Sequence, residues 1–570
     1  MERMETIIVL LIIYAVFVFV MVRGAYDEKK RKQKYREQLK NLYGSFPENA
    51  CDVKEFARIE SAFRHFGDKK NNAGIIDDIT WNDLNMDSIF ARMNFTQSSA
   101  GEEKLYTMLR YPVLSDDRRK KDALEKHLTY MARNEKARLD AMILLDSLGK
   151  SGNYALADYL DFIKELGHQS SKKHYLCIFL LIVSVVSIFG YPTFGVMLLI
   201  AAACFNIVTY LNEKGVASTY ITAISYIMRM VECADGIIAL DIGTEFSEYM
   251  DTLKTKRESF KSLEKHSGMV LKLNSATGSV GGILFDYIKM LTHIDLIQFN
   301  KVLGIIQQHE KDIYEIADSI GYLDVVISIA YFRAALSYYC VPVLMKGKND
   351  TFVIKDAFHP CLENPVANSI GQNRGMLVTG SNASGKSTFL KTVAINAILA
   401  QSINTCCARV YSGNYYRIYS SMSLRDSLEQ GESYYMVEIK ALKRIVDAAD
   451  SESQNPLLCF VDEVLRGTNT VERIAASVQI LKKLSQRGIF CFAATHDIEL
   501  TKLLADEYDN CHFEEEVKDG DVLFSYRLLP GRSHTRNAIK LLEIIGFSKD
   551  IIKKADNMAG DFLRTGEWLS

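Results

Sequence analysis

The stretch IFLLIVSVVSIFGYPTFGVMLLIAAACF, residues 178–205, is apolar almost throughout and is broken once, at Gly190-Tyr191-Pro192. Such a segment folds either inside a large soluble core or in lipid. Crossing the hydrocarbon core of a bilayer takes about 20 apolar residues in a helix. Residues 175–190 and 193–211 each approach that length and contain no Lys, Arg, Asp or Glu. Lys172, Lys173 and His174 stand before the first segment, and Glu213 and Lys214 follow the second. The Gly-Tyr-Pro break is a turn signal at the midpoint. The pattern predicts a transmembrane helical hairpin with both ends on one side of the membrane. A buried soluble helix pair is the competing reading, and two adjacent uncharged segments of this length are rare in soluble cores.

A third apolar segment, IIVLLIIYAVFVFVMV, occupies residues 7–22 and is followed by RGAYDEKKRKQKYREQLK. Lys and Arg concentrated after the segment place its N-terminal end outside and the following chain in the cytosol. A cleaved signal peptide competes, but the n-region is not basic and no clean small-x-small site follows. The basic run Lys29–Lys40 could contact DNA; basic residues just inside a span more often face lipid and set topology.

The remaining totals are those of an ordered globular chain. The 570 residues leave room for about three or four domains. A net charge of -2 excludes a strongly basic, histone-like binder but not a local basic patch. With only 8 Pro and few Gly/Ser-rich runs, helix is expected to dominate. No two of the 11 cysteines have C-x-x-C spacing, and several sit in apolar runs, as in LLCFVDE and IFCFAAT. They read as buried thiols in a reducing compartment rather than as zinc ligands or disulfides.

The segment GMLVTGSNASGKSTFLKTVAINAILA is the most specific in the chain. A short apolar strand, Met376 to Thr379, runs into Gly380-Ser381-Asn382-Ala383-Ser384-Gly385-Lys386-Ser387-Thr388, and a helical pattern follows. This is a P-loop in its required context. Its glycines let backbone N–H groups turn inward around phosphates, and the helix N-terminus adds positive potential. Lys386 is placed to reach the β- and γ-phosphates, and the Ser387 hydroxyl to ligate Mg²⁺. Downstream, LLCFVDE reads as a buried parallel strand ending in two carboxylates, Asp462 and Glu463. Asp462 would hold Mg²⁺, mostly through water, and Glu463 would polarise an attacking water. A further buried strand, IFCFAATHDIELTKL, ends at Thr495-His496, where a histidine can hydrogen-bond a γ-phosphate.

Four segments in this order, TGSNASGKSTFLKT, GESYYMVEI, FVDEVLRGTNTVER and ATHDIELTKL, resemble the ATPase domain of the MutS family, an ABC-class head. DAFHPCLENPVANSI resembles the segment before that family's P-loop, and GRSHTRNAIKLLEIIGFSKDIIKKA its C-terminal dimerisation tail. The resemblance spans about residues 350–560. It implies an ATPase using ATP and Mg²⁺, and a homodimer through the heads. Gly431 and Ser433 match the signature segment that caps ATP bound to the opposite subunit. Thr468, Asn469 and Thr470 match a loop that crosses the dimer interface. Asn368 matches a nucleotide-contacting asparagine. Tyr526 falls where the family places an adenine-contacting histidine, and its ring could still stack there. Thr535-Arg536-Asn537 departs from the family's Ser-Tyr-Gly in the tail.

The fold expected is an α/β P-loop (ABC/MutS-type) ATPase domain with a mainly α-helical lever and core domain and about three transmembrane helices. Residues 1–24 form the N-terminal anchor and 25–76 a basic juxtamembrane linker. Residues 77–173 carry the first part of the core and lever helices, 174–211 the hairpin and 212–345 the second part. Residues 346–570 form the ATPase domain and its helical tail. Residues 77–114 and 321–344 resemble the start and close of the family's lever region.

Two family parts find no counterpart. No β-rich mismatch-reading domain fits in the roughly 50 residues between the first span and the lever. Phe46 and Glu48 have the family's Phe-x-Glu spacing, but in a short polar linker, where coincidence explains it. The hairpin interrupts the lever where the family has its DNA clamp. No nuclease-like domain is expected after the ATPase. Two functional readings stand: a membrane-anchored, DNA-linked ATPase resembling mismatch-repair proteins, or a membrane scaffold or mechanochemical ATPase that does not bind DNA. Three spans without a buried charge make a poor solute path, so a transporter is not expected. The partners implied are a second copy of the chain, the lipid bilayer at the cell membrane with the ATPase domain cytoplasmic, and, on the first reading, DNA.

Overall fold

The computed structural model describes residues 19, 22–24, 26–27, 29–47, 53–67, 74–261, 287–347, 351–381, 384–422, 434–465, 468–518, 521–532, 539, 542 and 546–565. The expected N-terminal span at 7–22 lies outside them apart from residues 19 and 22, as do Glu48, Asn382, Ala383, Gly431, Ser433 and Thr535-Arg536-Asn537. The chain divides into two compact units. The first holds residues 1–70, 94–106 and 123–334, and the second residues 71–93, 107–122 and 335–570.

The first unit is helical. Helix α1 (Lys172–Gly190) and helix α2 (Pro192–Ala239) form the hairpin. Pro192 opens α2, where its missing N–H costs no hydrogen bond, and Tyr191 before it lies outside the helical region. Gly195 lets the two helices meet at the turn: a Cβ there would lie 2.5 Å from the Ile188 backbone nitrogen. Lys172–Gly190 and Pro192–Gly215 are long and apolar enough to cross a membrane by length and composition, and only 17% and 22% of their apolar windows are buried. Phe179, Phe189, Phe194 and Met197 point outward.

The expected boundary after residue 211 is not a break. Helix α2 runs on for 48 residues in all, about 72 Å at 1.5 Å per residue. Beyond Lys214 its apolar side chains turn inward, and Ile224, Ile227, Met230, Ala234 and Ile237 are buried. The helix does not stop at the polar pair; it changes environment there.

The open end of the hairpin is pinned by polar contacts to the region around helix α3 (Ile294–Gln308). The Asn206 amide donates to Leu291 O (2.8 Å), the Tyr210 hydroxyl donates to Asp295 (2.6 Å), and the His174 and His293 Nδ1 atoms lie 3.0 Å apart. Helix α4 (Glu310–Ala335) is the core of the unit, buried almost continuously from Leu323 to Arg333. Its Asp324 accepts from the Ser98 hydroxyl (2.6 Å) and from the backbone N–H groups of Gln97 and Ser98, just before helix Ser99–Arg110. Burial lifts the Asp324 carboxyl to about 6. The helix through the basic run docks on the same unit. Lys40 pairs with Glu135 (2.9 Å), Arg36 pairs with Asp140, and the Tyr35 hydroxyl donates to Gln97 (2.6 Å). Phe46 packs on Phe332 with ring centroids 6.3 Å apart.

The second unit is α/β. Its smaller sheet, in the order β1-β5-β2-β3, joins β1 (Val343–Met345), β2 (Phe352–Ala357), β3 (Asn368–Gln372) and β5 (Val410–Asn414). Its larger sheet has the order β10-β9-β4-β8-β7-β6. There β4 (Gly375–Thr379), β6 (Arg417–Ser421), β7 (Leu457–Asp462), β8 (Ile489–Ala494) and β9 (Tyr508–Lys518) are parallel, and β10 (Asp521–Pro530) is antiparallel to β9. Parallel strands need crossover helices that cover both sheet faces, so β4 and β7 are buried at every position. The helices are α5 (Lys386–Ile403), α6 (Tyr434–Asp450), α7 (Thr470–Lys483), α8 (Ile498–Leu503) and α9 (Lys549–Thr565).

Residues 71–93, read from the sequence mostly as the start of the lever, fold into this unit. The reason is polar as well as apolar. The Asp83 carboxylate accepts from Ser420 Oγ (2.7 Å) and Met422 N (2.9 Å), and Thr80 Oγ1 accepts from Ser420 N, so the end of strand β6 is held by the helix Asp78–Asp83. All ten described cysteines are free thiols; the five from Cys406 onward, Cys406, Cys407, Cys459, Cys491 and Cys511, are buried.

Candidate functional site

The site lies at the carboxyl ends of the parallel strands, where open α/β sheets gather ligands. Strand β4 delivers the chain into the glycine loop. Gly380 has φ +148° and a Cβ there would sit 2.8 Å from Ser384 Oγ, so the loop closes only around a residue without a side chain. Gly385, at φ +109°, is the residue before the first turn of α5. The Lys386 ammonium folds back over the loop and donates to Gly380 O and Ser381 O, each at 2.8 Å.

Three strand ends bring their polar residues to the same place. Ser387 Oγ donates to Asp462 Oδ2 at the end of β7. Glu463 follows in the left-handed region, φ +61°, with its N–H on Ala494 O (2.9 Å). His496 stands just past β8, with Nε2 2.9 Å from Glu463 Oε1 and 3.2 Å from Lys386 Nζ. That nitrogen can donate to Glu463 when it carries the proton or accept from Lys386 when it does not, so it serves one of the two partners at a time.

A cleft of about 530 Å³ opens from this cluster, within the range of small-molecule sites. Ser381, Gly385, Lys386, Ser387, Thr388, Asp462 and Glu463 line one side, and Leu362, Pro365, Val366, Phe389, Phe513 and Tyr526 give it apolar walls. Tyr526 has φ +52° and lies beside a break in the β9–β10 register between Phe524 and Leu528. Asn368 holds that bulge: its amide donates to Tyr526 O (3.0 Å) and accepts from Leu528 N (2.8 Å). Both residues line the cleft, but the Asn368 amide is engaged by the β10 backbone.

The residues present fit a magnesium ion. Asp462 Oδ1 is buried without a hydrogen-bond partner among the described residues, next to a hydroxyl that its other oxygen already engages. No cluster of three or more His, Cys, Asp or Glu side chains suited to a metal occurs among the described residues. A cation here would therefore draw most of its ligands from phosphate and water, as Mg²⁺ does.

Thr468, Asn469 and Thr470 lead into α7. The Asn469 side chain accepts from Val471 N (3.0 Å) and caps that helix. Arg473 on α7 forms a two-pronged pair with Asp497 (2.6 and 2.9 Å), which raises the guanidinium's affinity for its proton. Sequence pattern did not single out three further residues of the site. Glu515 on β9 is buried and accepts from the Ser381 hydroxyl. His359 lines the cleft, and burial, with Lys391 nearby, pushes its pKa down to about 4. Glu438 on α6 is buried and accepts the N–H of Leu465. His359 lies in the segment resembling the approach to the loop and Glu438 in the resembling segment GESYYMVEI, though neither was singled out there; Glu515 is an isolated acidic residue in an ordinary strand pattern.

A glycine loop between a central parallel strand and a helix, faced by a carboxylate-bearing strand, defines a P-loop α/β nucleotide-binding domain. The family model MutS domain V matches residues 376–562. Human MutS protein homolog 4 is 29% identical over 323 residues, covering 52% of this chain and 33% of that protein. Its mouse counterpart is 30% identical over 322 residues with the same shares. The DNA mismatch repair protein MutS of Thermotoga maritima is 29% identical over 267 residues, 45% of this chain and 33% of that protein. Residues 376–562 thus carry a domain of the MutS domain V type, within the stretch that resembles these MutS-named relatives. The chain spans about a third of the length of these curated relatives.

Proposed function

We propose that this chain is a membrane-anchored, MutS-type ATPase that binds Mg·ATP in the cleft and hydrolyses it between two heads. The observation that carries the reading is the convergence of Lys386, Ser387, Asp462, Glu463 and His496 from three separate stretches of chain onto one end of one cleft. Lys386 and the loop N–H groups hold the phosphates. Magnesium, when bound through Ser387 and Asp462, supplies neutralisation of phosphate charge. Glu463 orients and deprotonates the attacking water, and His496 stands beside both that carboxylate and Lys386. The apolar wall with Tyr526 receives the base. In a head-to-head dimer, Ser433 of the opposite subunit completes the site.

Nucleotide binding moves such a two-state pair only by its differential affinity for the open and closed states. The anchoring proposal rests on the outward apolar surface of α1 and the first half of α2. It places the hairpin in the cell membrane and the ATPase unit in the cytoplasm, with α2 continuing from the bilayer into the helical unit.

The relatives named DNA mismatch repair protein MutS favour a DNA-linked role. The exposed hairpin favours a scaffold or mechanochemical ATPase that works on the membrane itself. The deciding experiment is ATP turnover by detergent-purified protein with homoduplex, mismatched and branched DNA over a salt series. Turnover that disappears in Lys386→Ala supports the ATPase reading, and its absence in the wild-type chain overturns it. Stimulation by DNA that fades with salt marks phosphate contacts, whereas no response to any DNA selects the scaffold.

A further inference from the structure

We propose that Glu438 is a positioning residue for hydrolysis, holding the backbone after strand β7 in the shape that aims Glu463 at the site. This inference rests on the reading of the cleft as an ATP-hydrolysing site. Two residues within three positions, Glu463 (φ +61°) and Leu465 (φ +59°), are left-handed without being glycine. That conformation is disfavoured for residues with a Cβ and persists only where the surroundings impose it. The constraints on the two are different. Glu463 is fixed through its N–H on Ala494 O (2.9 Å) and its carboxylate on His496 (2.9 Å). Leu465 places its side chain in the core, 6% exposed, and turns its own N–H into the protein interior.

A buried N–H needs an acceptor, and no strand neighbour among the described residues supplies one. Glu438 does, from the second turn of α6, with a side chain only 2% exposed. Its carboxyl oxygen accepts the Leu465 N–H and so braces a backbone held against its preference. The brace lies two residues from Glu463, so its loss frees the turn to relax and swings the carboxylate without removing any group that touches phosphate. Glu438 is absent from the lining of the cleft, so it acts through the backbone and not on the substrate.

The test uses full-length protein in detergent, with steady-state kcat and KM for ATP and equilibrium binding of a fluorescent ATP analogue in the presence of Mg²⁺. Glu438→Ala should lower kcat about 10- to 100-fold, the scale on which small misplacements act, while KM and analogue affinity stay within about 3-fold. Glu438→Gln keeps an acceptor oxygen at the same reach and should restore kcat to within about 3-fold of wild type. Glu438→Asp, one methylene shorter, should behave like the alanine variant. If Glu438→Ala melts below the assay temperature, the Gln and Asp variants decide between them. Equal loss in Gln and Ala would show that charge and not bracing matters and would overturn the proposal. So would normal kcat in both Asp and Ala, or a rise in KM with kcat unchanged. A wild-type chain that binds the analogue yet releases no phosphate would instead overturn the hydrolysis reading itself, before any variant is considered.

Discussion

Strand β7 and helix α1 read alike in sequence, as apolar runs with charge only at one end, yet they meet opposite surroundings. Every residue of LLCFVD is buried between the helices that cover the sheet. In α1 only His174, Cys177 and Ser184 are buried, while Phe179, Ile182, Val186 and Phe189 face outward. Apolar content alone does not decide between a core and a lipid-facing surface; length and neighbours do. Six residues cannot cross a bilayer and must be covered by protein, whereas a 19-residue helix can be covered by lipid.

The largest effect should come from placing one carboxylate in each run. Phe460→Asp puts an unpaired charge where relative exposure is 0%, and should cost more than about 4 kcal/mol and unfold the ATPase unit. Val185→Asp should leave that unit's ATP binding and melting unchanged and weaken membrane insertion by about 3 kcal/mol. Thermal melting with ATP and alkaline extraction of membranes read the two arms. Loss of ATP binding in Val185→Asp would mean that the hairpin is protein core.

The two units should also answer pH with opposite slopes. In the helical unit, burial raises Glu103 from 4.5 to about 8 and Asp324 from 3.8 to about 6. The folded state then holds these protons more tightly than the unfolded chain. Stability from these groups is greatest below about pH 4 and declines as pH rises through about 6 and then about 8. In the α/β unit, burial lowers His359 from 6.5 to about 4, so its contribution is full above about 6.5 and is lost as pH falls towards 4. Glu103→Gln should flatten the alkaline decline, gaining on the order of a few kcal/mol at pH 8 relative to pH 5. Denaturant midpoints in detergent from pH 4 to 8 measure this. A wild-type curve that rises steadily across that range would contradict the burial of the two carboxyls.

Smaller effects separate shape from chemistry. Gly195→Val forces a Cβ against the Ile188 backbone and should destabilise the hairpin by about 1–3 kcal/mol, with KM for ATP unchanged. Asn469→Ala removes the cap of α7 and should lower the stability of the α/β unit by about 1 kcal/mol, seen as a shift of a few degrees in its melting temperature. A much larger fall in turnover than in stability would show that Asn469 also serves the dimer interface.

The glycine loop was legible because its chemistry is local: a strand, two glycines at fixed spacing, Lys386 and Ser387 are contiguous, and the fold only has to complete them. Asp462 and Glu463 were legible for a related reason, since an apolar strand ending in two carboxylates leaves few other placements. The hairpin was legible from length and its Gly-Tyr-Pro turn. What sequence hid was long-range. Nothing at residue 211 signals that α2 continues, because the helix swaps outward-facing for core-facing apolar residues. The alliance of Asp83 with Ser420 joins positions more than 300 residues apart. Asn368 as the clamp of a β-bulge and Glu438 as a backbone brace depend on left-handed residues at Tyr526, Glu463 and Leu465, which carry no glycine to announce them.

The most direct measurement is retention of radiolabelled ATP by the detergent-purified Glu463→Gln variant beside wild type and Lys386→Ala, with mass determined on the same samples. A P-loop head that hydrolyses through Glu463 should give a variant that holds uncleaved ATP in a dimer, a wild type that releases phosphate, and a Lys386→Ala protein that retains no label. A Glu463→Gln protein that turns ATP over at the wild-type rate, or that binds it only as a monomer, would contradict the account.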